Sequence, residues 1–160
     1  MSYTNADGLY IRTRVDEGEP LLQGTTAGCA RKTLVMDLDW TTIGSSFGSS
    51  NINPMNPIIP AKSIIVNADL VILTAFTGSS STLTIGTYNS AGTAVDADGI
   101  DATIALTAID ADNDVVQCDG AQVSGIVNVG NADCYVGAIW GTAAFTAGVA
   151  KLVIEYIELT

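Results

Sequence analysis

SIIVNADLVILTAF, Ser63–Phe76, reads as a β-strand along its whole length. Its even positions Ile64, Val66, Ala68, Leu70, Ile72 and Phe76 are apolar, with Thr74 the exception. Its odd positions mix Ser63, Asn67 and Asp69 with Ile65, Val71 and Leu73. Alternation of period two with many β-branched residues marks a strand that lays one face on a core. The same pattern recurs to the C-terminus, and no helical period interrupts it. Strands are expected at Thr33–Trp40, Ser63–Phe76, Thr82–Tyr88, Ile100–Ile109, Val115–Cys118, Val123–Val129, Cys134–Trp140 and Val149–Leu159. In the last of these, Leu152, Ile154 and Tyr156 face inward while Lys151 and Glu155 face out.

About eight short strands with turn residues between them indicate an all-β chain, a jelly-roll-like β-sandwich of antiparallel strands, with an Ig-like sandwich as the alternative. A chain of 160 residues suffices for one well-cored domain, which at this size buries roughly 70% of its unfolded surface. Residues 1–29 show little periodicity and read as an extended N-terminal arm, leaving 30–160 for the sandwich. Thr41–Pro60 carries three prolines among Gly, Ser and Asn, so it is expected to be a long surface loop able to pack on a partner.

Seventeen acidic residues against six basic give a net charge of −11, which opposes nucleic-acid binding because a polyanion requires a basic footprint. Arg12, Arg14, Arg31 and Lys32 lie in the first 32 residues, and no basic residue occurs between Lys62 and Lys151. The arm is thus close to neutral and the body acidic. No run meets the roughly 20 apolar residues of a membrane-spanning helix. The opening MSYTNADGLYIRTR lacks the apolar core of a secretion signal, so synthesis in a cytoplasm is expected.

The chain has no histidine, which removes the commonest general base from any nucleophilic triad. Cys29, Cys118 and Cys134 show no metal-ligand spacing; buried thiols are expected, or a single Cys118–Cys134 disulfide if those strands are neighbours. Asp96-Ala-Asp98-Gly-Ile-Asp101 and Asp110-Ala-Asp112-Asn-Asp114 space carboxylates as cation loops do, but lack the Gly and Glu that an EF-hand places sixth and twelfth. Turn initiation by Asp and Asn side chains is the reading that fits. Glu155 and Glu158 fall on opposite faces of one strand and cannot flank a glycosidic bond. Trp40, Trp140, Tyr88 and Tyr135 could form a sugar-stacking platform or belong to the core.

Several phrases occur together: Asn5-Ala-Asp-Gly-Leu9, Ile59-Pro-Ala61, Leu73-Thr-Ala-Phe76, Thr82-Leu-Thr-Ile-Gly86, Asp98-Gly-Ile-Asp101, Ala105-Leu-Thr-Ala-Ile109 and the ending Thr142–Tyr156. With these the chain resembles a family of small β-rich structural proteins of tailed bacteriophages, associated with head decoration, or cement, roles. The resemblance implies a non-enzymatic virion protein without cofactors, made in the bacterial host cytoplasm. It would bind the outer surface of the assembled head through the major capsid protein lattice and self-associate, as a homotrimer at threefold positions. Neither nucleic acid nor membrane is an expected partner. Leu9, Tyr10, Ile11, Arg12, Arg14, Leu21, Leu22, Arg31 and Lys32 are the expected capsid contacts. The alternative is a tail-fibre or lectin-like jelly-roll module that binds host surface glycans.

Overall fold

Alternating apolar residues become strands that pair mainly with partners distant in sequence, as a computed structural model describing residues 2–4, 10–12, 31–47, 56–125 and 127–159 shows. Within the expected arm, β1 (Ser2–Thr4) and β2 (Tyr10–Arg12) pair antiparallel as a two-stranded sheet. A hairpin thus occurs where an extended arm is expected; the rest of 1–29 lies outside the described residues, as does the expected boundary between arm and body.

The body contributes β3 (Lys32–Asp39), β4 (Ile58–Ile59), β5 (Ile64–Gly78), β6 (Thr82–Tyr88), β7 (Ala94–Ala105), β8 (Val115–Gln117), β9 (Cys134–Gly141) and β10 (Phe145–Ile157). One four-stranded sheet runs β3-β10-β5-β8 and the other β4-β9-β6-β7, with every pairing antiparallel. Numbered from one to eight, the body strands pair as one with eight, two with seven, three with six and four with five. This is a ribbon of antiparallel pairs rolled into two facing sheets, the jelly roll. An Ig-like sandwich distributes its strands differently, so that alternative is set aside.

The core lies between the sheets. Leu38, Leu70, Ile72, Leu152 and Ile154 from one sheet face Leu83, Ile85, Ile104 and Val136 from the other, all essentially without solvent contact. Each such side chain contributes about 1.5–3 kcal/mol of transfer free energy. The expected inward face of β10 is the observed one: Leu152, Ile154 and Tyr156 are buried, Lys151 and Glu155 half-exposed.

Three strands depart from simple alternation. In β5 the core positions are Ile65, Ala68, Leu70, Ile72 and Phe76, so Ile64 and Val66 do not point inward as expected. Register shifts against β10 explain this: Glu155 faces Asn67 while Tyr156 faces Ile65, leaving Val66 as an extra residue that flips the face. β7 begins at Ala94, inside the expected loop, and ends at Ala105 in a 3₁₀ turn, Leu106–Ala108. Between Asp96 (opposite Thr87) and Asp101 (opposite Ile85) it carries an outsized bulge. The strand expected at Val123–Val129 is replaced at its start by a short helix, α1 (Ala121–Ser124), whose Gln122 is buried. There the Gln122 side chain meets Thr87 Oγ1 at 3.0 Å inside the protein, and that tertiary contact overrides local strand preference.

Gly148 lies in β10 at φ +135°, and a Cβ there would run into the Phe76 ring. Gly130, at φ +107°, faces open space. Gly148→Ala should therefore cost about 3 kcal/mol or more, through backbone strain and clash together, and Gly130→Ala about 1–2 kcal/mol through backbone strain alone. Urea denaturation of the two variants at equal m-value measures the difference.

Candidate functional site

A two-sheet sandwich has two open seams, and this chain closes each with irregular backbone rich in Gly, Asn and Asp. At the first, the segment after β3 crosses from one sheet to the other. Gly44 bridges to Ile139, Trp140 N–H donates to Gly44 O at 2.8 Å, and Val136 N–H donates to Pro57 O at 3.0 Å. Asn56 Nδ2 donates to Val136 O at 3.2 Å. Ile43 and Ile59 are buried. Phe47 lies on the outer face of the second sheet, where Gly137 has no Cβ to obstruct it: one placed there would stand 2.5 Å from the ring. The missing side chain of Gly137 leaves a trough beside Tyr88, whose ring centroid is 4.3 Å from that of Phe47, while its cross-strand partner Gly86 is covered by the Ala97 backbone, 2.2 Å from where a Cβ would stand. Ile43, Phe47 and Ile59 of Thr41–Pro60 thus pack on their own domain, while Thr41, Thr42, Ser45, Ser46 and Ile58 remain exposed and residues 48–55 lie outside the described residues. Isolated glycines within strands signal such close approach, but the ring that fills the trough lies some ninety residues from Gly137 in the chain.

Between β3 and this segment is a cavity of about 230 Å³ lined by Val35, Met36, Leu38, Ile43, Phe47 and Pro57 among others. Ligand pockets typically span about 300–1,000 Å³. This one fits a side chain better than a free metabolite.

At the second seam, the bulge of β7 meets α1. Gly120 N–H donates to Ile100 O at 2.8 Å. A Cβ on Gly99 would stand 2.6 Å from Gln122 Oε1 and 2.8 Å from the Asp96 carboxyl. Asp101 is nearly inaccessible, 5% exposed, and accepts from Thr103 N–H at 3.1 Å. Burial pushes its carboxyl above the usual range, opposed by hydrogen bonds from the backbone N–H groups of Thr103 and Asp119 and aided by the Asp119 charge. Asp96 is also raised, first by burial and then by its contact with Asp98.

Three further aspartates accept from backbone N–H groups, Asp114 within its own turn as the sequence suggests, Asp112 and Asp133 from segments distant in the chain. Asp112 Oδ1 accepts from Ala75 N–H at 2.7 Å, Asp114 from Ala111 N–H at 3.2 Å, and Asp133 from Ala61 N–H at 2.9 Å. Among the described residues no group of three or more acidic or cysteine side chains is placed to hold a metal ion.

Cys118 and Cys134 are buried free thiols. They belong to opposite sheets rather than neighbouring strands: Cys118 follows β8 and bonds to Ala68 O, while Cys134 opens β9. Burial pushes the Cys118 thiol up to about 12, so it is not a nucleophile at neutral pH. Of the four candidate sugar-stacking aromatics only Tyr88 and Tyr135 are neighbours, paired across β6 and β9. Tyr88 is buried beneath Phe47 and Trp140 packs against the core, while Trp40 is in the turn after β3 and Tyr135 is half-buried opposite Tyr88.

Of the expected capsid contacts, Tyr10, Ile11 and Arg12 fall in β2, opposite Thr4, Tyr3 and Ser2. Leu9, Arg14, Leu21 and Leu22 lie outside the described residues. Arg31 and Lys32 stand at the entrance to β3, already paired within the body: Arg31 with Glu155 at 3.1 Å and Lys32 with Glu158 at 2.6 Å. Lys151 pairs with Asp37 across β3 and β10. These ion pairs tie the first body strand to the last.

No family model and no curated protein matches the chain. Among solved structures, a chain from the capsid of Ralstonia phage GP4 matches with a TM-score of 0.56, covering 85% of this chain and 90% of that one at 15% identity. The likeness is one of fold.

Because Asp96 and Asp101 titrate above their ordinary 3.8 in the fold, the native state holds protons that the unfolded chain has released. Stability therefore rises as pH falls from neutral toward that value. Asp39, held low by Thr41, opposes this only below 3.8. Thermal melts should shift upward as the pH is lowered through the raised folded values toward 3.8, and Asp101→Asn should melt no lower than wild type at neutral pH while flattening the slope.

Proposed function

We propose that the chain is a non-enzymatic structural protein of a tailed-phage virion, a decoration protein seated on the outer surface of the head. The observation that carries this reading is the strand order itself. An eight-stranded jelly roll matches a capsid chain of Ralstonia phage GP4 over nearly the whole length of both. The sequence resemblance to phage decoration proteins points the same way. The described polar residues support it too: Asp112 and Asp114 accept from backbone N–H groups, the thiols are buried, and Arg31, Lys32 and Lys151 pair with carboxylates at or beside β3 and β10.

A decoration protein works by adding many weak contacts on a repeating lattice, where effective concentration replaces individual affinity. The body supplies a rigid block, and the first 29 residues supply the attachment to the major capsid protein through Leu9, Tyr10, Ile11, Arg12, Arg14, Leu21 and Leu22. Ordering such a segment costs about 1–2 kcal/mol per residue of backbone entropy, so its apolar side chains must be buried by the shell. Self-association belongs to the same reading, a homotrimer at threefold lattice positions being its simplest form.

A chain lacking residues 1–28 retains every strand of the two four-stranded sheets. It should melt as the full chain does and fail to decorate purified heads, measured by co-sedimentation with them. Undiminished occupancy would refute the arm as the attachment, and binding to host glycans in place of heads would favour the fibre-module alternative.

A further inference from the structure

β3 ends the β3-β10-β5-β8 sheet, so one of its edges has no strand beside it. Trp40 N–H donates to Gly148 O at 3.1 Å, and the same register runs on along β3 against β10. Antiparallel neighbours exchange bonds at alternate residues. Leu34, Met36 and Leu38 therefore turn their N–H and C=O groups to β10, while Thr33, Val35 and Asp37 turn theirs to the open edge. Val35, Met36, Asp37 and Leu38, four residues in succession, line the cavity beside β3, which thus opens along that edge. No proline and no bulge interrupts Thr33–Leu38, and an edge left unblunted in this way is a template for a further strand.

The chain also holds a strand that lacks a sheet. Among the described residues β1 and β2 pair only with each other, over three residue pairs. So short a hairpin is not stable in water by itself, and the edge of β2 away from β1 is open. Its charge fits. Met1–Val15 sets Arg12 and Arg14 against Asp7 in a chain of net charge −11. β3 carries Asp37 and Asp39 at the same two-residue spacing, on the face opposite Met36 and Leu38. Asp37 also pairs with Lys151, yet its side chain is 79% exposed. Asp39 meets Thr41 through Oδ1 alone. We infer that β2 of one copy adds to the open edge of β3 in the next, with Arg12 and Arg14 beside Asp37 and Asp39 and Ile11 on the cavity side.

Residues 13–31 separate β2 from β3 and can span at most about 65 Å, against a width of about 35 Å for a domain of this size. The link is long enough to reach a neighbour. An arm-to-body contact is heterologous, so it closes into a ring, as of three copies, or runs on from copy to copy. The inference rests on the self-association in the proposed function and names the surface for it. A strand docked by its edge keeps a face free, so this contact and attachment to the shell do not exclude one another. With few backbone bonds it is weak in dilute solution and effective where copies are crowded on a lattice.

Hydrogen exchange and sedimentation of the free full-length chain over a wide concentration range test it. The amides of Val35 and Asp37 should exchange quickly in dilute solution and become protected as copies associate. Arg12→Asp combined with Arg14→Asp, or Asp37→Lys alone, should weaken association about tenfold, since exposed pairs turn from attraction to repulsion. Mixing the two variants should restore it, because each arm then finds an edge of opposite charge. A chain that stays monomeric throughout would overturn the inference, as would a mixture that associates no better than its components. Protection of Val35 and Asp37 at every concentration would also overturn it, by seating the hairpin on its own body. Occupancy on purified heads is a separate readout, so failure here leaves the virion reading standing.

Discussion

The antiparallel pairing of β3 with β10 is the constraint on which the rest of the body depends. Eight consecutive residue pairs, from Lys32 opposite Tyr156 to Asp39 opposite Val149, join the first strand of the sandwich to the last. The pairing places Leu34, Met36 and Leu38 over the core and puts Arg31 and Lys32 within reach of Glu155 and Glu158. It also fixes the starting point of the segment that crosses to the other sheet. Every inner pair of the roll is nested inside this outermost one. Its ion pairs are exposed and contribute little individually; the stabilisation comes from the buried side of the ladder, with the charges guiding alignment.

Much of this fold is legible along the chain, and the misreadings share a cause. Thr82–Tyr88 is found to the residue, because Gly and Ser bracket it and its alternation is unbroken. β10 is found with the right face inward, although it begins four residues earlier than its pattern suggests. The errors arise where an extra residue re-phases a strand, at Val66 in β5 and between Asp96 and Asp101 in β7. A bulge is specified by what the partner strand requires, and alternation read locally carries no trace of it. The helix at Ala121–Ser124 escapes for a similar reason: four residues are too few to show a period, and what holds them is a buried contact to Thr87 on another strand.

The surfaces divide in the same way. The acidic bias of the body and the basic residues near its beginning are plain in the composition, but not that Arg31 finds its partner 124 residues away. The local bond of Asp114 to Ala111 is legible, since Asp side chains act on neighbouring backbone, but not the bonds of Asp112 to Ala75 and Asp133 to Ala61. The trough at Gly137 that Phe47 fills is not, because it needs a distant segment laid against the strand before it exists.

The closure of β3 by β10 also has a bearing on biosynthesis. A growing chain presents β3 early, yet its ladder partner in the sheet, β10, is the last of the body strands to be made. Until then Leu34, Met36 and Leu38 have no neighbour on that side, and the sandwich cannot shut. Native structure must be reached after β10 has emerged, and slowly, since distant segments have to meet before any local gain rewards them. A strongly negative nascent chain is an advantage in that interval, because mutual repulsion keeps the waiting polypeptides apart.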